Sequence, residues 1–132
     1  MVQKFPNPPI QYDSNGLMQS QQAPNGTWYA CRNISTPGTN DVLCGRGGGT
    51  NNWVGNLKYR KFVDMEQLNY TSASKSQKII YSNNVVQRIR CLHPPGRFLN
   101  KNAQGTYDDI GDQKAREKTS QCLREGQVSS KA

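Results

Sequence analysis

The stretch DVLCGRGGGTNNWVGNLKYRKFV (41–63) decides how the chain is read. It opens on a short apolar run, Asp41-Val42-Leu43-Cys44, that glycine ends, so an edge strand is expected there. Gly45 to Thr50 form a glycine loop, and Asn56 has the side chain of a helix N-cap. The spacing of Tyr59, Phe62, Val63 and Leu68 then predicts a helix over 57–68 with those residues on one side.

Working outward, Ile79, Ser82, Val85, Val86, Ile89 and Leu92 share one face at three- and four-residue spacing. They predict a second helix over 76–92, which Pro94 and Pro95 stop. Arg97-Phe98-Leu99 and Thr106 to Ile110 read as paired strands around a turn at 102–105. Asp112 suits the N-cap of a third helix over 113–125, with Gly126 as its stop. That helix is expected to bury Ala115, Thr119, Cys122 and Leu123. The order strand, helix, helix, hairpin, helix predicts a small α+β single domain. It also fits a winged helix, in which the second helix enters a major groove and the hairpin is the wing.

The apolar residues fix the expected boundaries. Leu, Ile, Val and Phe number 23, and residues 41–126 hold 17 of them, while 1–40 hold only Val2, Phe5, Ile10, Leu17 and Ile34. So few apolar groups do not offset the entropy of ordering a chain. Residues 1–40 therefore read as a flexible, disordered leader, 41–126 as a basic α+β domain and 127–132 as a disordered tail. Within the leader, Thr27 to Cys31 is expected to dock as one short strand. Its Trp28 and Tyr29 are the candidate contact for a protein partner.

The formal net charge is +8, and 41–126 carries 14 basic against 8 acidic residues. That balance favours a polyanionic partner, or else serves solubility. No apolar run is long enough to span a membrane, and no apolar stretch follows Lys4 as in a secretory signal. A nuclear or cytoplasmic, non-secreted protein is expected, with Cys31, Cys44, Cys91 and Cys122 as thiols.

The glycine loop is the sharpest local motif. Gly45, Gly47, Gly48 and Gly49 would let successive amides converge on an anion, with Arg46 as a phosphate donor. No lysine precedes Thr50, so this is not the nucleotide-binding P-loop, and a plain strand-to-helix connection explains it as well. The candidate nucleic-acid set is Arg46, Lys58, Arg60, Lys61, Lys75, Lys78, Arg88, Arg97, Lys114 and Lys118. Lys114 and Lys118 lie one turn apart, and Gln121 continues their row. Arg97 is expected to pair across the hairpin with Asp108 or Asp109. The sole histidine, His93, has no recognisable catalytic partner, and the cysteines lack metal-ligand spacing. No catalytic residue, metal or cofactor is expected.

The segments DVLCGRGGGTN, GNLKYRKFV, VVQRIRCLHPPGRFL and DIGDQKAREKTSQCLREG together resemble a domain of unknown function that recurs in diatoms and related stramenopiles. That family usually has His-Pro where this chain has Trp53-Val54. Its many copies and disordered flanks imply regulatory or DNA-associated proteins. The expectation is a non-enzymatic module that binds nucleic acid, DNA in preference to RNA. The alternative is a protein-interaction or structural module with no nucleic-acid contact.

Overall fold

The computed structural model describes residues 10–12, 14–16, 18–22, 28–45 and 52–129. Its elements run β1 (Ile10–Tyr12), β2 (Met18–Gln22), β3 (Trp28–Ala30), β4 (Val42–Leu43), α1 (Val54–Ser72), α2 (Lys78–Arg90), β5 (Phe98–Lys101), β6 (Tyr107–Asp109) and α3 (Asp112–Ser129). This is a small α+β fold. Three helices pack on one another, and two three-stranded sheets have the orders β1-β2-β3 and β4-β5-β6.

The second sheet is where the sequence pattern becomes a core. β5 is its central strand, parallel to β4 and antiparallel to β6. Phe98 faces the helices and meets Tyr59 edge-to-face, with ring centroids 5.7 Å apart. Leu99 turns to the opposite face by strand alternation and is fully buried too, so both faces of the sheet are covered. Val42, Tyr59, Val63, Tyr70, Val85, Val86, Ile89, Phe98, Ala115 and Leu123 form the buried cluster. The Tyr59 hydroxyl finds Thr119 Oγ1 at 2.9 Å, so burial leaves it satisfied.

The edge strand, the hairpin and all three helices lie where the sequence places them. Several details differ. α1 begins at Val54, and Asn56 does not cap it. The Asn56 amide instead clamps strand β4, accepting from Leu43 N at 2.8 Å and donating to Leu43 O at 3.0 Å. α1 also runs on to Ser72, and Tyr70 is a buried helix residue rather than part of a turn. Leu68 and Ile79, expected on the apolar faces, are 80 % and 58 % exposed. Asp112 is the first residue of α3, its carboxylate is engaged by Arg90, and α3 runs through Gly126, the expected stop, into the expected tail as far as Ser129.

The largest difference lies in residues 10–40. They were expected to be a leader with one docked strand. Instead β1, β2 and β3 form an antiparallel sheet, of which β3 is the expected docked strand. Cys31 is fully buried, Ile34 exchanges backbone hydrogen bonds with Tyr107 at 2.9 Å, and Asp109 N donates to Cys31 O at 2.7 Å. Gln21 is fully buried and donates to Gly96 O at 3.1 Å. Polar groups take part in this docking beside Met18, Cys31 and Ile34, and a count of apolar residues cannot register them. The side chains of Trp28 and Tyr29, the first nine residues and the end of the expected tail at 130–132 lie outside what the structure describes.

The recognition-helix role expected for the second helix is also corrected. Ser82, Asn84, Val85, Val86, Gln87, Ile89 and Arg90 of α2 are all buried. They occupy positions around most of the helix circumference, so α2 has no free face to lay in a groove.

Candidate nucleic-acid interface

The charged residues divide by type. Two arginines, Arg90 and Arg97, turn inward. Arg90, 1 % exposed, grips Asp109 with a two-bond fork at 2.5 and 2.8 Å. Its Nε reaches Asp112 at 3.0 Å, and its plane lies 5.3 Å from the Phe98 ring. Burial by itself disfavours the guanidinium charge, but Asp109 and then Asp112 outweigh it and hold Arg90 protonated. Arg97 makes the same fork on Asp41, with Nε to Oδ1 at 3.0 Å and Nη2 to Oδ2 at 2.7 Å. Its Nη1 donates to Ala30 O at 2.6 Å, tying the first sheet to the second.

Arg97 therefore pairs with neither Asp108 nor Asp109, as had been expected. The parallel register sets Val42 beside Phe98, which brings Asp41 next to Arg97, and Arg90 already holds Asp109. Arg97 leaves the nucleic-acid set on this geometry, because its donors are spent on the fold. Arg88 is committed similarly, lying 3.9 Å from Glu66 and 5.9 Å over the Phe62 ring.

Lysines turn outward. Among the described residues every ion pair is made by an arginine, and none by a lysine. Lys61, Lys75, Lys101 and Lys114 are exposed, as is Arg60. Lys58 bonds Asn40 Oδ1, Lys78 sits 5.3 Å over the Tyr70 ring, and Lys118 sits 5.7 Å over the Tyr59 ring. The pairing consumes most of the acidic side chains, leaving Asp64, Glu117 and Glu125 outside these ion pairs. These pairs take up four arginines along with five carboxylates, so the excess of positive charge is left nearly as it was.

Arg46, Gly47, Gly48 and Gly49 lie outside the described residues. The two ends of their loop are fixed. Cys44 N donates to Leu99 O at 2.7 Å on one side, and Trp53 Nε1 donates to Gly38 O at 3.1 Å on the other. Gly45 has φ +154°, with open space where a Cβ would stand. Lys118 exerts the strongest pull of any charged group on Cys44, so α3 directs a lysine toward the end of β4. Lys114 lies one turn earlier on that helix.

All four cysteines are thiols. Burial pushes the Cys31 thiol up to about 12, with Asp109 adding to the effect. Burial also pushes Cys44 up to about 11, against the opposing pull of Lys118. Neither forms the nucleophilic thiolate near neutral pH. A disulfide reagent should therefore leave Cys31 and Cys44 unmodified in the native protein and label all four cysteines in urea. Native labelling of Cys31 at the unfolded rate would contradict this placement.

Three helices set around a short mixed sheet, with Arg90 and Arg97 inside and Lys61, Lys75, Lys101 and Lys114 exposed, define a small basic α+β domain. Residues 41–125 match the family model "Domain of unknown function (DUF6824)", and the chain belongs to that family. No curated protein and no solved structure matches the chain.

Proposed function

We propose that this domain is a binding module for nucleic acid, acting on the phosphate backbone of duplex DNA in preference to RNA. The observation that carries the reading is the division of charge. Among the described residues, five acidic side chains pair with arginines and no lysine forms an ion pair. Lys114 and Lys118 on α3 are the central contacts, Lys75 and Arg60 are peripheral ones, and Arg46 joins them on its sequence alone. Backbone contact fits better than base reading, because the buried α2 offers no groove-entering face. A regulatory role at nuclear DNA follows from this proposal.

Neutralising about four phosphates gives a log–log salt slope of about −3.6, a loss of roughly a hundredfold in affinity per fourfold rise in salt. Titration of labelled duplex DNA at several salt concentrations tests this. A lack of binding at low salt would remove the proposal. A second reading, protein interaction without nucleic acid, is favoured by the apolar residues exposed along α1.

A further inference from the structure

We infer that the outer face of α1 pairs with the same helix of a second copy of this chain, antiparallel and about a two-fold axis. The inner face of α1 is spoken for by Gly55, Tyr59, Val63, Glu66 and Tyr70, all buried. Directly opposite lies a stripe of Val54, Leu57, Met65 and Leu68, which are 45, 45, 56 and 80 % exposed. Single exposed apolar residues are ordinary on protein surfaces. Here two apolar pairs, each three residues apart, lie on one face with Lys61 filling the eight-residue gap between Leu57 and Met65, and together they form a seam of the kind that packs helix on helix. The helix has 19 residues, so the seam extends over most of about 28 Å.

Charge chooses the occupant and the direction. Lys61 and Asp64 sit within the stripe, and both are exposed. With a two-fold axis crossing α1 between Phe62 and Val63, Leu57 faces Leu68 of the second copy. The same axis sets Lys61 against Asp64 of the second copy, and the symmetry makes each contact twice. A parallel pairing would set lysine on lysine and aspartate on aspartate. The stripe is thus self-complementary in the antiparallel sense only, and a charged layer within an apolar seam fixes register and orientation. This inference does not rest on nucleic-acid binding, and it assigns Lys61 to the interface between copies.

Sedimentation equilibrium of the full chain tests it. At roughly 100 µM, where association is favoured by mass action, a mass twice 14.8 kDa is expected. Lys61→Glu places like charges together at both symmetric positions and should weaken the dimer by roughly tenfold or more, as should Asp64→Lys. The double variant Lys61→Glu/Asp64→Lys restores opposite charges and should return the constant to within about threefold of wild type. Its recovery also separates a lost contact from a misfolded helix. A monomeric wild type, a dimer indifferent to the single changes, or a double variant as weak as the singles would each overturn the inference.

Discussion

Arg90→Ala is expected to cost about 3–5 kcal/mol, the loss seen when one partner of a buried ion pair is removed. The domain's total stability is on the order of 5–15 kcal/mol, so the variant would lie close to unfolding. The argument is geometric. Arg90 and Asp109 both have wholly inaccessible side chains. Asp109 also accepts from Phe98 N at 3.1 Å and Gly111 N at 2.8 Å, which locks β5 to the turn before α3. Arg90 adds Gly96 O at 3.3 Å and Asp112, so one guanidinium joins the end of α2, the strand entry and the start of α3. Removing it leaves the Asp109 carboxylate buried without its counter-charge. Urea unfolding checks this. A midpoint corresponding to a loss under about 1 kcal/mol would show that the network does not hold the three elements together.

Gly55→Ala should be the second most damaging single change, and its sign opposes the ordinary rule. Within a helix, alanine is more favourable than glycine by about 1 kcal/mol. Here the added Cβ would stand 1.8 Å from Asp41 O and 2.6 Å from Asp41 C, so main chain blocks it rather than a movable side chain. α1 crosses β4 at this contact. Displacing Asp41 would break its fork with Arg97 and its acceptance from Gly38 N at 2.6 Å. A loss of about 3 kcal/mol or more is expected, at the upper end of overpacking costs. A gain in stability would mean that the helix and strand do not approach so closely. Gly96 is held in a similar way, with a Cβ falling 2.4 Å from Ile89 Cγ2 and 2.5 Å from Asn40 O.

These two positions show what the sequence discloses and what it withholds. Periodicity located each helix, because Val85, Val86, Ile89, Ala115 and Leu123 repeat at helical spacing and burial enforces that spacing. It could not identify Gly55 or Arg90. A glycine required by close approach looks like any glycine, and a buried arginine looks like a surface one until its partners are in place. Asp109 lies nineteen residues from Arg90 along the chain, and Asp41 lies fifty-six from Arg97. Nothing local announces either pairing. Residues 18–40 escaped for a related reason, since Gln21, Asn40 and the Ala30 carbonyl dock through hydrogen bonds. Of the candidate contacts, Lys114 is exposed and Lys118 is half-buried over the Tyr59 ring, whereas Arg97 and Arg88 turned inward.

The proposal that outward lysines hold a phosphate backbone is tested most directly by comparing salt slopes. The wild type and Lys114→Gln/Lys118→Gln would be titrated against the same labelled duplex over a range of salt. Loss of two phosphate contacts should flatten the log–log slope by about 1.8 and weaken binding at every concentration. Stability should fall by no more than about 1 kcal/mol, the worth of the Lys118 contact with the Tyr59 ring. An unchanged slope and affinity in the variant, or a wild type that fails to bind at low salt, would contradict the account.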